Sequence, residues 1–346
     1  MRLYNIEIFA GFSYRGSLQI QDVNYKEDYI SLEKNKIKSS QEALYAQEGD
    51  YIHISGEDID SWGIVTAFEN KKGKRQATYE NFLSIFDTDI YCDSTLLDTL
   101  TVENFIAELI RENYIDNSDD LQNIEGLSVE VLTGTHGVLD IEKNVCNLLE
   151  EVIIPAFSTY QIVVNPLWDV QKKKIILRIE QQQASKRTIE ADLPNVLYKN
   201  IVVRKTKEKL NKLVVVNEED PGEKLVVYRS ENGEISTVDK ERIVPVVFST
   251  IQTKASGKKS FGEVALEKAK NKLKKAEYEN LIELEIMRND GLVHPKELKI
   301  GQMVDIISDG ISYSSILTGR EIDETEVLIF GTVRLDLTKT IRRNTI

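Results

Sequence analysis

The chain has 346 residues, 41% hydrophobic and 29% charged, so it is long enough for two or three folded domains and too apolar for wholesale disorder. Its 57 acidic and 44 basic residues give a net charge of −13, which argues against a protein that coats DNA and leaves open one through which DNA slides. No apolar run reaches the roughly 18–20 residues of a membrane span, and the first residues lack a signal peptide. We therefore expect synthesis and folding in a cytosol, without membrane insertion.

Cysteine and histidine are scarce in this chain. The two cysteines are Cys92 and Cys146, and the three histidines are His53, His136 and His294. Their scatter matches no zinc-ligand spacing, and two thiols in a cytosolic chain are expected to be reduced and packed rather than joined. The sequence therefore predicts neither a metal site nor a cofactor.

Residues 1–93 are predicted to form an N-terminal β-barrel domain. Tyr4, Ile6 and Ile8 alternate with polar residues, which is the pattern of a half-buried strand. Further short strand-like runs lie near residues 17–24, 28–33, 51–55, 62–69 and 77–86. Several short strands at close spacing are typical of a small barrel or a sandwich.

Residues 94–192 have the pattern of an α/β insert domain. Apolar residues at helical spacing predict a helix that Thr101 caps and that ends near Tyr114. A second amphipathic run predicts a helix that Asp140 caps and that Pro155 ends or kinks. Strands are predicted around residues 127–132, 160–165 and 174–180.

Residues 193–346 are predicted to form a C-terminal β-rich domain with one long helix. The pair Asn232 and Gly233 between two strand-like runs is typical of a hairpin with a type I′ turn. A capping box that begins at Ser260 opens the helix, which covers about residues 260–278. Most of the remaining chain is predicted to be strand.

Two segments, residues 49–66 and residues 301–318, resemble each other, and we call them the repeat segments. Each begins with a glycine, continues as an alternating strand, turns, and returns as a second strand. The identical positions are Gly49, Ile54, Ile59, Ile64 and Thr66 in the first and Gly301, Ile306, Ile311, Ile316 and Thr318 in the second. Any two β-hairpins could align this well, but each repeat segment lies late in a β-rich region of the chain. This placement favours two related barrels, the second over about residues 281–343.

Catalytic signatures are weak throughout the chain. His136 lies in the glycine-bounded loop 133–137 and could serve as a general base, but no nucleophile motif accompanies it. The acidic loop 116–125 fails the EF-hand pattern, because Leu121 stands where the turn glycine should be. The sequence therefore predicts a protein that is not an enzyme.

Lysines are concentrated along the helix predicted over residues 260–278. Five of them are Lys268, Lys270, Lys272, Lys274 and Lys275. The simplest interpretation is a solvated helix face whose cations lie favourably near the C-terminal end. The alternative is a basic wall that faces a channel or an acidic partner. Aromatic residues are not interleaved, so contact with nucleic acid would be independent of base sequence.

The order of a β-barrel, an α/β insert and a second β-barrel with a long helix resembles the baseplate-hub family of tailed bacteriophages. It is most similar to the prophage tail proteins, or tail-associated proteins, of Gram-positive hosts. The residues that carry the resemblance are the repeat segments, the block 101–180 and the closing strand 331–343. The resemblance implies an α+β, mostly β fold in which two related small barrels flank the insert.

The same resemblance implies a homotrimer, in which three pairs of similar barrels form a ring with pseudo-sixfold symmetry. Made in the bacterial host cytoplasm, such a ring would join the tail tube to the tip of the virion and surround a channel for DNA, whose contact would be transient and non-specific. The implied partners are the distal tail protein or tube ring, the tape-measure protein, and a tail fibre or tip protein. Because the chain ends at Ile346, just after the last predicted strand, we expect no cell-wall hydrolase region after it.

Two other function classes stay open on the sequence alone. A tail-associated cell-wall hydrolase, either a peptidase or a glycosidase, could use His136 or carboxylates that no motif marks. The hub of a contractile injection system is the second alternative, and gene neighbourhood rather than sequence would separate it from a phage tail.

Overall fold

The computed structural model describes most of the chain. The described residues are 3–21, 25–29, 34–39, 44–56, 59–71, 74–137, 139, 141, 144–182, 187–203, 210–230, 234–239, 246–255, 259–273, 280–288 and 298–331. They form two curled β-sheets, an α/β insert that lies between them in the sequence, and a small α/β unit. The predicted class, a mostly β fold with two small barrel-like domains around an α/β insert, is confirmed.

The first half-barrel is a six-stranded antiparallel sheet. Its strands are β1 (Tyr4–Ala10), β2 (Ser13–Ile20), β4 (Asn35–Ser39), β5 (Tyr51–Ser55), β6 (Asp60–Lys71) and β7 (Lys74–Asn81), in the order β2-β1-β5-β6-β7-β4. Alternate side chains point to one face of a strand, so Ile6, Ile8, Ile52 and Ile54 share one core. The remaining strand of this region, β3 (Tyr25–Asp28), pairs with the second half-barrel instead.

The α/β insert has two small sheets and two helices around one core. Its elements are 3-10 turns at Phe82–Phe86 and Ser94–Asp98, β8 (Asp89–Tyr91), α1 (Val102–Tyr114), β9 (Leu127–Val131), β10 (Val145–Asn147), α2 (Ile154–Tyr160), β11 (Ile162–Asp169) and β12 (Lys174–Gln181). The sheets have the orders β10-β8 and β11-β12-β9. The predicted cap and end of the first helix are confirmed, since the Thr101 side chain accepts from the N–H of Asn104 and the helix ends at Tyr114.

The second predicted helix begins later than predicted and continues past Pro155. Val145 lies in β10, and helical turns begin only at Leu148, after Asn147 accepts a bond from the N–H of Glu150. A π-helical segment, Leu148–Ile153, then leads into α2. Pro155 does not end the helix, because it stands in the first turn of α2, where a missing N–H costs little. The predicted cap, Asp140, lies outside the described residues.

The second half-barrel contains strands from both ends of the chain. They are β13 (Thr188–Glu190), β14 (Val196–Val203), β19 (Asn280–Met287), β20 (Met303–Ser308), β21 (Ile311–Ile322) and β22 (Thr325–Gly331), in the order β13-β20-β21-β22-β19-β14. β3 completes this sheet by pairing with β21. The predicted continuation of the barrel to about residue 343 lies outside the described residues.

A small α/β unit separates β14 from β19 in the sequence. It consists of β15 (Lys212–Asn217), β16 (Lys224–Arg229), β17 (Ile235–Ser236), β18 (Phe248–Thr253) and α3 (Phe261–Leu273). Its sheet order is β17-β16-β15-β18, and one face of α3 packs on it to form a separate core. The predicted hairpin is confirmed by the pairing of β16 with β17, although Asn232 and Gly233 themselves lie outside the described residues. The predicted capping box is also confirmed, because Ser260 and Glu263 bond each other reciprocally.

The strands next to the predicted domain boundaries pair across them. β8 precedes residue 93 but pairs with β10 of the insert, and β13 precedes residue 192 but pairs with β20 of the second half-barrel. The division of the chain at these two residues therefore stays a prediction. Cys92 and Cys146 are buried free thiols in the core of the insert.

Candidate assembly interface

The two repeat segments share one backbone design, beginning with their glycines. Gly49 has φ +88° and Gly301 has φ +84°, a left-handed conformation that side chains other than glycine rarely adopt. In each copy the glycine N–H donates to the returning strand at 2.8 Å, and that strand donates back to the next residue. The bonds join Gly49 to Val65 and Val65 to Asp50 in the first copy, and Gly301 to Leu317 and Leu317 to Gln302 in the second.

The strand registers of the repeat segments also coincide. Tyr51 is opposite Ile64 in the first copy, and the corresponding residues Met303 and Ile316 are opposite each other in the second. Both copies then carry a β-bulge at the matching threonine, Thr66 or Thr318. Among the other predicted positions, Ile54, Ile306 and Ile316 are fully buried and Ile64 is half-buried. The repeat is therefore structural, and each copy builds the centre of one half-barrel.

Alanine substitutions at Gly49 and Gly301 should distinguish the energetic cost of backbone strain from the cost of steric crowding. Gly49→Ala should lower the free energy of unfolding by about 1 kcal/mol, because the positive φ is strained while the space beyond is open. Gly301→Ala should cost more, because its methyl carbon would lie 3.0 Å from a Val163 methyl group. Urea unfolding of both variants measures the difference, and equal losses would contradict the role given to Val163.

β3 joins the two half-barrels by a strand pairing. Asp28 is opposite Gly319 and Tyr25 is opposite Ile322 in an antiparallel ladder with β21. The Tyr29 N–H extends the ladder by donating to the carbonyl of Thr318 at 2.6 Å. Ile322 is buried in the core of the first half-barrel, so each half-barrel supplies part of the other.

Tyr29 is the point where the two half-barrels meet the insert. Its hydroxyl oxygen accepts a bond from the N–H of Val164 at 2.9 Å, and its ring lies 4.4 Å from that of Phe157. Burial raises the pKa of the Tyr29 phenol far above its usual value, so the hydroxyl stays neutral. One side chain thus contacts the insert while its backbone contacts the second half-barrel.

Removing the Tyr29 hydroxyl should weaken this junction measurably. Tyr29→Phe should lower the free energy of unfolding by about 1–2 kcal/mol, because the buried N–H of Val164 loses its acceptor. Tyr14→Phe is the matched control, since Tyr14 is exposed. Thermal unfolding of the two variants gives the comparison, and equal transitions would show that the hydroxyl bond contributes nothing.

A buried ion pair lies under β3. Arg320 on β21 donates through Nε to Oε1 of Glu326 on β22, and both side chains are less than a tenth exposed. Burial raises the pKa of Glu27 on β3, and the nearby Arg320 charge opposes that rise. The positive charge of Arg320 therefore interacts with one carboxylate on β22, that of Glu326, and with one on β3, that of Glu27.

An aromatic stack joins the first half-barrel to the insert. The His53 ring lies 4.2 Å from Trp62 at an angle of 8°, and Trp62 lies 4.6 Å from Trp168 of β11 at 11°. His53 also contacts Glu7 Oε2 at 3.0 Å and Asp60 Oδ1 at 2.8 Å. Carboxylates thus engage both ring nitrogens, and the stacked ring packs the first half-barrel against the insert.

The enzyme-like loop 133–137 has a structural explanation. Glu103 in the first turn of α1 is fully buried and accepts from the backbone and the hydroxyl of Thr135 and from the hydroxyl of Thr133. His136, the next residue after Thr135, is exposed, and no described serine, cysteine or carboxylate is hydrogen-bonded to it. Across the described residues, no cluster of three or more His, Cys, Asp or Glu is placed to hold a metal ion. None of their helices combines the length and the apolarity that crossing a membrane requires.

The lysine-rich helix keeps its apolar face against the small sheet. Phe261, Ala265, Ala269 and Leu273 are buried in the core of that unit. The predicted basic residues are half-buried at Lys268 and exposed at Lys270 and Lys272, while Lys274 and Lys275 lie outside the described residues. A role toward a channel or a partner stays a prediction.

Several residues with the long-range contacts described above were not found from the sequence. Tyr29, Arg320 and Glu103 look like ordinary members of alternating or amphipathic segments, and only their long-range contacts distinguish them. No local signal marks Arg320, because polar neighbours such as Thr318 and Glu321 lie beside it in the sequence.

Solved structures of known proteins share this fold. A chain of the phage P2 baseplate in its activated conformation with Ca overlays with a TM-score of 0.51 and 14% identity, covering 95% of this chain and 98% of that one. The 43 kDa tail protein of prophage MuSo2 from Shewanella oneidensis overlays with a TM-score of 0.52 and 11% identity, covering 94% of this chain and 98% of that one. The prophage tail protein gp18 from Listeria monocytogenes EGD-e overlays with a TM-score of 0.52 and 10% identity, and the overlay covers 98% of each chain.

Sequence comparison adds nothing to these overlays. No protein-family model matches the chain, and no curated protein matches it in sequence. At such low identities the overlays establish architecture alone, but they cover nearly the full length of every chain compared. This chain therefore has the fold of phage baseplate and prophage tail proteins.

Proposed function

We propose that this chain is a structural protein of a phage tail tip, in which three copies form a baseplate hub ring. The observation that carries the proposal is the repeat itself, with the same glycine turn, register and bulge in two half-barrels of one chain. Its fold is that of phage baseplate and prophage tail proteins, which supports a place in the tail of a virion.

Symmetry explains why one chain would carry the same half-barrel twice. Three chains with two similar units each present six similar units around one axis. Such a ring can contact a sixfold tube on one side and a threefold tip on the other. The repeat is what allows one protein to meet both symmetries.

The proposed ring defines its partners. On the tube side it binds the distal tail protein or the tube ring, and on the tip side it binds a fibre or tip protein. The tape-measure protein and DNA pass through its channel, where the net charge of −13 disfavours tight binding of DNA. The Gram-positive host type stays a prediction from the sequence.

The solution mass tests the ring directly. Light scattering coupled to size exclusion, at several concentrations, should give three times 39.5 kDa. Negative-stain images of the same peak should show rings with six similar lobes. A mass of 39.5 kDa at every concentration, unchanged when the distal tail protein is added, would overturn the proposal.

We also infer that the chain acts without catalysis. The carboxylates around His53 and the loop that contains His136 both have structural explanations in the contacts described above. Purified chain incubated with peptidoglycan should release no soluble fragments. Release that disappears with His136→Ala would replace the structural role with the hydrolase alternative.

A further inference from the structure

β14 is a sheet edge with much exposed apolar surface. It pairs with β19 on one side, and no strand in the described part of the chain pairs with its other side. Half of its eight residues are exposed large hydrophobics, each at least 47% accessible: Leu197, Tyr198, Val202 and Val203. Lys199 fixes the strand in place through bonds to Ser308 Oγ at 2.8 Å and Asp309 Oδ2 at 3.1 Å. A fixed, exposed, apolar edge strand is a template for pairing with another chain.

β3 has the same place in the first half-barrel that β14 has in the second. β14 lies beside β19, which pairs with β22, and β3 lies beside β4, which pairs with β7. The contact between β3 and β4 uses the Asn35 amide, which donates to the Lys26 carbonyl at 2.6 Å and accepts from the Lys26 N–H at 3.0 Å. The outer edge of β3 is occupied by β21, whereas no strand of the described residues pairs with the outer edge of β14.

The counterpart of β21 in the first half-barrel is β6, and its second half has an unpaired edge. The β5 ladder ends at Ile64, and among the described residues no strand pairs with residues 66–71 on that side. Most of residues 67–70 are exposed, whereas most of the matching residues 319–322 of β21 are buried where β3 pairs with them. Among the described residues, the same edge is thus covered in one half-barrel and open in the other.

Backbone direction shows that this open edge can accept a strand. The Thr318 carbonyl faces β3, so by alternation the backbone groups of Arg320 and Ile322 face β3 as well. The matching residues of β6 are Phe68 and Asn70, whose N–H and C=O groups therefore point outward. Residues between them point their backbone groups toward β7.

We propose that β14 of one copy adds antiparallel to residues 66–71 of β6 in a second copy of this chain. The proposal rests on the hub ring and names the joint that closes it. Within a chain, β3 joins the first half-barrel to the second. Between chains, β14 joins the second half-barrel to the first half-barrel of the next copy, so two similar joints alternate around three chains.

The register of the new joint follows from the backbone direction of β14. The Met287 N–H donates to the Asn195 carbonyl, so by alternation the backbone groups of Leu281 also face β14. Leu281 pairs with Val202, so the backbone groups of Val202 face β19, while those of Ile201 and Val203 point outward.

Pairing the outward backbone groups of both strands places Phe68 opposite Ile201 and Ala67 opposite Val202 of the second copy. Asn70 then stands opposite Lys199 at the polar end of the joint. Polar residues suit an edge that meets water before assembly.

A disulfide between copies tests this register. Ala67→Cys with Val202→Cys should give covalent dimers and trimers on a non-reducing gel, because the backbone groups of both residues face away from the joint and leave a close pair without hydrogen bonds. The matched control is Ala67→Cys with Leu197→Cys, because Leu197 is similarly exposed but lies roughly 17 Å further along the strand. The native Cys92 and Cys146 are buried, so they give no cross-link between copies.

Proline at the open edge tests the same joint without cysteine. Asn70→Pro removes an outward N–H and should weaken association roughly tenfold or more, while Asn70→Ala, which keeps the N–H, should associate like the wild type. A trimer that cross-links equally in both cysteine pairs, or in neither, would overturn this joint and leave the hub proposal standing. A chain that stays monomeric at every concentration and forms no cross-link would overturn both.

Discussion

Arg320→Met should lower the free energy of unfolding by about 3–5 kcal/mol, since it removes the Arg320 cation from the buried carboxylate of Glu326. The same change should raise the pKa of Glu27 further, because Arg320 is the charge that opposes the effect of its burial. Urea unfolding followed by circular dichroism gives the size of the loss. An effect below about 1 kcal/mol would show that water reaches the pair and screens it.

The double variant Arg320→Met with Glu326→Leu is the control for this prediction. Replacing both partners by apolar groups of similar size should recover most of the stability, because no uncompensated charge remains. If the double variant is as unstable as the single one, the loss comes from packing beneath β3 rather than from the buried charge. The two outcomes differ by several kcal/mol and are easily distinguished.

Glu103→Ala should lower the free energy of unfolding by about 3 kcal/mol, because a buried backbone N–H and two hydroxyl groups lose a charged acceptor. The loop that contains Thr133 and Thr135 should become accessible to proteases. Glu108→Ala on the same helix is the control, because Glu108 is partly exposed and pairs only with Arg111 across one turn. Equal stability of the two variants would contradict the role of the buried carboxylate.

The stabilisation by Glu103 should also depend on pH. Burial alone would raise the pKa of this carboxyl, but bonds from the backbone and hydroxyl of Thr135 and from Thr133 outweigh it and hold the pKa below its usual range. A depressed pKa in the folded state stabilises fully above the pKa of the unfolded chain and is lost as pH falls through the folded value. The gap between wild type and Glu103→Ala should therefore be constant near neutral pH and close in acid.

Local chemistry explains which elements could be predicted. The Thr101 cap, the end of α1 at Tyr114 and the reciprocal pair of Ser260 and Glu263 depend on residues within one or two helical turns. The repeat was visible because a left-handed turn demands glycine at Gly49 and its counterpart in the second copy. The half-barrel fold followed from these local signals and from alternating strands.

The remaining features depend on partners that are distant in sequence. Pro155 was expected to end or kink a helix, but the preceding π-helical segment places it in the first turn of α2, which periodicity does not reveal. β3 carries a strand pattern that fits either half-barrel, and only the three-dimensional structure assigns it to β21. The sequence did not predict the small α/β unit as a separate unit, because its strands have the same pattern as the strands around it.

The exchange of strands between the half-barrels sets an order in which the chain can fold. The core of the first half-barrel contains Ile322, and the sheet of the second contains β3, so neither is complete until nearly the whole chain has left the ribosome. Contacts between such distant residues carry a large loop-closure cost and form late. A chain released early therefore cannot complete either half-barrel, and the edges needed for assembly become ordered only in a finished protein.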